Sequence, residues 1–324
     1  MKTVSHATYL GDVISDSGTI DENISQRCQR ALGIITQISS MLSSISFGSF
    51  HFDIAMVLRE SQFVNSIMTN SEIWHNVLSR HIESLEKMDH DLFRKIFNSH
   101  SKTACESYYF ELGKYPLRFI WAKRRFMYLW QILHIEPGEL TQKVYETQKI
   151  TNTKGDWYEI VKKDKIEYGI HESEHEISSM SHDKLKKSVE KKIHLAAIKH
   201  LQVLAGKHSQ STKIAAEKFG KKAYLKDKRF TKEDCQILFA LKTKMIDCKS
   251  NFRHLYENNM TCRICNDLES YEDEDHILVC KTLNNEEFDV SYEDVYRNVD
   301  KQYNVTQVFM KILRKRNVLI EAMI

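Results

Sequence analysis

Between Ile24 and Ile45 the apolar residues fall at Ile24, Cys28, Ala31, Ile35, Ile38, Leu42 and Ile45, with gaps that alternate between four and three. A strand cannot use this spacing, because its side chains switch faces at every residue. A helix of about 3.6 residues per turn gathers all of them on one stripe. A lone stripe has nothing to bury against, so the chain must supply covering helices. A second helix is expected from about Asp53 to Met68, and a third carries Leu78, Ile82, Leu85, Leu92 and Ile96. Three helices on short links can bury one core. The rest of the chain is equally poor in turn-makers, with 10 Gly and 2 Pro in 324 residues. That disfavours a β-sandwich, a barrel or a Gly-rich nucleotide fold. With 42% apolar and 28% charged residues a packed core is available and global disorder is not expected.

Ala7 to Ser15 reads as strand, followed by the turn signal Asp16-Ser17-Gly18, and Thr19 with Glu22 has the spacing of a capping box. A helix ends at Gly113, and Pro116 opens the next, which runs to Trp130 before Glu136-Pro137-Gly138 breaks it. That segment is aromatic and basic at once. Its aromatics can pack inward while Arg118, Lys123, Arg124 and Arg125 snorkel outward, or the cationic face can meet a nucleic-acid backbone. Asn152 to Gly155 reads as a surface link. Helical periodicity returns over Lys184 to Leu204 and Asp234 to Met245, with Gly206 to Gly220 looser between them. A last helix is expected over Val305 to Met323. The fold class expected is mainly α: helical bundle, helical linker, one N-terminal β-hairpin and a small metal-held unit near the C-terminus.

The net charge of +3 hides a segregation. From Lys184 to Lys232 there are fifteen Lys/Arg against three acidic residues; from Asn266 to Asp294 there are eleven Asp/Glu against one Lys. A basic stretch of this density is a candidate polyanion face, or else a solvated helix face without a partner. Lys186, Lys187, Lys191 and Lys192 are its candidate contacts.

One motif carries chemistry. Cys262-Arg263-Ile264-Cys265, ten residues, His276, three residues and Cys280 form C-x2-C-x10-H-x3-C. Two close pairs of soft or borderline ligands across a short loop deliver the tetrahedron that zinc wants, and a closed four-ligand set marks a structural rather than a catalytic metal. The first pair suits a tight turn, and the second suits one face of a helix. A redox pair is the weaker reading of Cys262 and Cys265. Cys248 and His254 lie close enough in sequence to replace one ligand. Cys28, Cys105 and Cys235 read as packing residues. The acidic run Glu272-Asp273-Glu274-Asp275 inside the loop is expected on the surface. Seven scattered cysteines argue for a reducing compartment, and no apolar run or leader pattern suggests a membrane span or secretion, so an intracellular location, nucleus or cytoplasm, is expected. No Gly-rich phosphate loop, nucleophile elbow or Asp-Asp dipeptide occurs.

Tyr9-Leu10-Gly11, Leu58-Arg59-Glu60-Ser61, Asn70-Ser71-Glu72-Ile73-Trp74, Leu85-Glu86-Lys87-Met88-Asp89, Glu111-Leu112-Gly113, Pro116-Leu117-Arg118, Arg124-Arg125 and Gly155-Asp156-Trp157 form a collinear series. Together with the Cys/His set, it resembles the region after the palm in non-LTR retrotransposon reverse transcriptases. The resemblance implies a primer-grip-like hairpin over 1–20 with Tyr9 and Gly11 near nucleic acid, and a thumb-like helical bundle over 21–100. It further implies a helical linker over 101–250 with its basic segment 184–232, a zinc knuckle over 251–284, and an acidic segment with a C-terminal helix over 285–324. It implies RNA or DNA as partner, with another retroelement protein as a further one. The family's palm and its Asp-Asp box would precede Met1, so the polypeptide alone is expected to polymerise nothing, as a truncated element copy or a gene model begun at an internal Met. The rival expectation is a host zinc-stabilised helical protein with protein partners. A zinc hydrolase is disfavoured by the closed ligand set.

Overall fold

A computed structural model describes residues 6–9, 12–16, 18–44, 50–256, 259–267, 269–284 and 288–322. Gly11 and Leu10 of the hairpin motif, Ser17 of the turn signal, and Ile45 and Met323 of the apolar stripes lie outside the described residues. The chain is mainly helical with one two-stranded antiparallel hairpin. It forms two compact units, each gathered from three separate stretches: 1–41, 56–92 and 115–201, and 42–55, 93–114 and 202–324.

In the first unit, β1 (His6–Tyr9) pairs with β2 (Asp12–Ser15), Tyr9 opposite Asp12. The stretch expected as one strand therefore doubles back on itself. Asp12 ties the hairpin to α1 (Asp21–Ser44): its carboxylate accepts from Asn23 Nδ2 at 2.7 Å, Arg27 Nη2 at 2.5 Å and Asn70 Nδ2 at 2.7 Å. Arg27 is itself buried, donates to the Ile67 carbonyl and lies over the Trp74 ring. The α1 stripe is buried at Ile24, Ala31, Ile35, Ile38 and Leu42.

The second expected helix is interrupted. α2 (His51–Leu58) widens into a π turn over Arg59–Val64 and closes as α3 (Asn65–Ile67). A π turn is rare and occurs mostly as a single-turn bulge inside an α-helix. Here it coincides with a buried ion pair: Arg59 grips Asp89 of α4 (Ser79–Phe97) through Nε–Oδ1 at 2.7 Å and Nη2–Oδ2 at 2.6 Å. A short turn over Ser71–Ile73 then offers two carbonyls to indoles, Ser71 to Trp121 and Glu72 to Trp157, each at 2.5 Å. Those indoles belong to α6 (Leu117–Ile132) and α8 (Trp157–Glu167). With α7 (Leu140–Thr151), α9 (Glu174–Ser179) and α10 (His182–Ala205) they enclose a core of Phe119, Phe126, Leu129, Tyr145, Val161, Ile177, Leu185, Val189 and Ile193.

The second unit has an aromatic centre in Phe52, Phe97, Tyr108 and Phe239, with ring centroids 4.2–5.2 Å apart for the pairs Phe97–Phe239, Phe52–Phe97 and Tyr108–Phe239. α5 (Cys105–Leu112) ends at Gly113 in the left-handed region, as expected. Leu112 then pairs with Lys221 in a short antiparallel bridge. The stretch 206–220, expected to be loose, instead holds α11 (Ser209–Ala216), with Ser211 and Ile214 fully buried and Ser211 Oγ 3.3 Å from Ser107 Oγ. One isoleucine among small residues is enough to seat a short helix but gives no periodic pattern to read. α12 (Lys232–Lys242) carries a buried cation: Lys242 Nζ meets Glu111 at 2.7 Å and Glu217 at 2.8 Å. α13 (Glu274–Val279) and α14 (Val299–Glu321) complete the unit. α14 starts earlier than its apolar pattern suggests, because Asn298 caps it by accepting from Lys301 N at 3.0 Å. Among the described residues no helix is long and apolar enough to cross a membrane.

Candidate metal centre and basic faces

The four predicted ligands converge. One donor atom from each of Cys262, Cys265, His276 and Cys280 lies within 4.8 Å of every other, and Cys265 Sγ is 3.4 Å from His276 Nε2. Sulfur atoms about 2.3 Å from a tetrahedral zinc stand roughly 3.8 Å apart, so the set needs only a small contraction. The local chain explains the convergence. Cys262 to Cys265 is a tight turn that closes with Asn266, in the left-handed region, donating its N–H to the Cys262 carbonyl at 3.0 Å. Thr261 and Tyr271 bridge across the loop. Asp273 caps α13 by accepting from His276 N at 2.8 Å, which fixes the histidine in the first turn. The spacing predicts His276 and Cys280 on one helical face; instead Cys280 follows the end of α13 in an extended conformation and returns its thiol to the cluster.

Cys262 and Cys280 are buried. Burial pushes the Cys262 thiol up to about 11 and the Cys280 thiol upward as well. A bound cation works in the opposite sense, since a coordinating thiol is deprotonated. Backbone N–H groups near the sulfurs, such as Ile264 N at 3.5 Å from Cys262 Sγ, favour the thiolate too. This Cys3His cluster can hold a metal ion. Cys248 and His254 are not part of it: Cys248 Sγ pairs with Ser250 Oγ at 3.2 Å, and His254 reaches Lys102 at 2.5 Å.

The acidic run beside the cluster is not the solvated surface expected of it. Glu272 is 1% exposed and Glu274 3%. Each has a partner that draws it in. Glu274 accepts from Asn251 Nδ2 at 2.9 Å. Glu272 accepts from Arg263 N at 2.9 Å and from its guanidinium at 2.5–3.0 Å, and from buried Arg316 of α14 at 3.2 Å. Asp247 meets both arginines from the outer side. The turn that bears two ligands is thereby fastened to the C-terminal helix, and Ile264, Ile277 and Leu278 are buried there. Sequence reasoning missed this support; the one available signal was an arginine between the two cysteines.

The basic residues divide sharply. On α6, Arg125 is 3% exposed, bonded through Nε to Asp164 at 2.7 Å and stacked 4.0 Å over the Trp121 ring, so it faces inward and not a phosphate backbone. Burial pushes the Asp164 carboxyl up to about 6, with Arg125 opposing. Arg118 is clamped by Glu86 at 2.6–3.2 Å, Arg124 donates to the Met68 carbonyl, and Lys123 meets Glu190 at 2.5 Å. On α10, Lys192 is taken by Glu172 at 2.6 Å. Lys186, Lys187 and Lys191 are exposed, as are Lys184 and Lys199. Tyr9 sits on β1, and Gly11 lies outside the described residues. In comparisons with protein-family models, curated proteins and solved structures, none matches this chain.

Proposed function

We propose that this chain is a nucleic-acid-binding helical protein whose C-terminal part is held together by a structural zinc ion, and that it corresponds to the thumb, linker and knuckle of a non-LTR reverse transcriptase. The observation that carries the binding role is the lysine row of α10. Lys184, Lys187, Lys191 and Lys199 follow spacings of three, four and eight, so they share one helical face, and all are exposed. No carboxylate among the described residues pairs with them. Like charges at helical neighbours cost a few tenths of a kcal/mol per pair, and an anionic backbone turns that cost into attraction. Three thiolates and an imidazole in a closed set suit zinc better than a hard cation.

The resemblance adds the motif series. Several of its members are neighbours in the first unit: Arg59 with Asp89, Arg118 with Glu86, Trp157 with Glu72. The reading assigns no polymerase chemistry to this polypeptide. Its test is the salt dependence of binding to single-stranded RNA and to duplex. Replacing the four lysines by glutamine is expected to reduce the log–log salt slope by roughly 3, at about 0.7–0.9 for each phosphate no longer neutralised. Binding that ignores salt, or an unchanged slope in the variant, overturns it. The rival protein-partner reading draws on Leu140 and Ile150 of α7, 76% and 84% exposed, and predicts that second outcome. Zinc content after purification, with Cys262→Ser as control, tests the metal.

A further inference from the structure

The four ligands of the metal centre are not equally sheltered. Cys262 and Cys280 are each 1% exposed, whereas Cys265 and His276 are half-buried. One edge of the cluster therefore meets solvent, and of the three sulfurs Cys265 is the one that stands on it. The two sheltered sulfurs are wrapped by backbone: Ile264 N lies 3.5 Å from Cys262 Sγ, and the N–H groups of Thr282 and Leu283 reach Cys280. Cys265 Sγ faces His276 Nε2 at 3.4 Å. Because the donor atoms of all four lie within 4.8 Å of one another, two further thiols stand beside the accessible one. Cys262 is tethered to it. The turn between them closes with Asn266 N donating to the Cys262 carbonyl at 3.0 Å. Such a turn keeps its first and fourth Cα atoms within about 7 Å, which a disulfide can span. Cys280 arrives from beyond α13 and has no such tether.

A sulfur bound to a cation is a thiolate, and the thiolate is the form that peroxides oxidise. Among thiolates, the accessible one reacts first. We propose that Cys265 is an oxidation site for hydroperoxides, and that its oxidation opens the metal centre by joining Cys265 to Cys262. The Cys265 sulfur attacks the terminal O–H oxygen of the peroxide. An S–O bond forms, the O–O bond breaks, and the second oxygen leaves as hydroxide or alkoxide. The Cys262 thiolate then attacks the Cys265 sulfur; the S–S bond forms, the S–O bond breaks, and hydroxide leaves. The two sulfurs together give up two electrons, and the peroxide takes them. Two ligands are thereby spent, and Cys280 with His276 cannot complete a tetrahedron. A thiol reductant returns both ligands by exchange. This rests on the structural-metal reading above and adds to it a condition under which the metal is released.

The test exposes the purified, zinc-loaded full chain to hydrogen peroxide and follows free zinc with a chelating dye, while peptide mapping locates the product. Zinc is expected to appear in step with a Cys262–Cys265 disulfide, and dimedone, which caps a sulfenic acid, is expected to label Cys265. Dithiothreitol followed by zinc is expected to restore the loaded protein. Two variants separate access from mere ligation, since each keeps four ligands. Cys265→His removes the accessible sulfur and is expected to release zinc about tenfold more slowly, whereas Cys280→His keeps the Cys262–Cys265 pair and is expected to release it at the original rate. Should either variant fail to bind zinc, the dimedone label and the disulfide map of the unaltered chain decide. Zinc retained through oxidation, a disulfide or label that leaves Cys265 out, a link from Cys265 to Cys280, or equal rates in the two variants overturns the proposal and leaves the metal reading standing. Absence of zinc from the protein before peroxide is added overturns the metal reading itself, and this proposal with it.

Discussion

Glu272 is the residue through which the metal-bearing turn is fastened to α14, and its removal has a calculable effect. Its carboxylate accepts from the Arg263 backbone N–H, from the Arg263 guanidinium and from Arg316 Nη2. Both Glu272 and Arg316 are 1% exposed. Glu272→Ala leaves the Arg316 guanidinium in the interior, facing only Asp247 at 3.1 Å. Breaking a buried pair from one side costs about 3–5 kcal/mol. Asp247 retains part of the interaction, which places the expected loss near 3 kcal/mol. Denaturant unfolding of the metal-loaded protein reads this directly. Because Arg263 lies between two metal ligands, its release is also expected to lower metal affinity by about 10–100-fold, read by competition with a chelator. Glu269→Ala, an exposed carboxylate in the same acidic stretch, is the control and is expected to stay within about 0.5 kcal/mol. The double change Glu272→Leu with Arg316→Leu is expected to recover part of the loss, since a buried pair is often replaced by apolar groups at little cost. A loss under about 1 kcal/mol for Glu272→Ala, with metal affinity unchanged, would refute the idea that this carboxylate braces the centre.

Gly113→Ala is expected to destabilise by about 2–4 kcal/mol in the same unfolding assay, because the new Cβ would sit 2.6 Å from the Lys221 backbone nitrogen at a φ of +62°. Gly18→Ala, at φ +66° with open space around it, is expected to cost about 1 kcal/mol. Arg59→Leu strands Asp89 in the first unit and is expected to cost about 3–5 kcal/mol, against much less when Asp89→Leu accompanies it; equal losses would show that the pair is not coupled. His51 is buried, and burial, aided by Lys232, holds its imidazole down to about 4, from an ordinary 6.5. The unfolded chain therefore takes up a proton that the folded one refuses, and stability is lost as pH falls from about 6.5 towards 4. Asp164 pulls the other way between 3.8 and about 6. The signature is thus the difference between the protein and His51→Phe, which is expected to flatten the acid limb of the unfolding profile; parallel profiles would contradict the assignment.

Local spacing accounts for what could be read from the residues, and distant partners for what could not. The α1 stripe, the glycine end of α5 and the Cys/His set are each decided within a few turns of chain, so periodicity and spacing reveal them. The fate of a charged side chain is decided elsewhere. Arg125 and Lys123 sit on one helix two residues apart and look alike in the sequence. One meets Asp164, 39 residues on and beneath the surface, and is drawn in; the other meets Glu190 and stays half-exposed. Glu272 and Asp275 belong to one acidic run, yet Arg316, 44 residues later, draws in the first and leaves the second exposed. The discontinuous composition of the two units is a further case, since no pattern inside 42–55 or 93–114 marks them as belonging with 202–324. Charge density along the sequence therefore overstates the cationic surface on α6 and describes it better on α10. There the exposed lysines have no carboxylate within ion-pair distance among the described residues, and a lysine-to-glutamine series on α10 is expected to change salt-dependent binding more than the same series on α6.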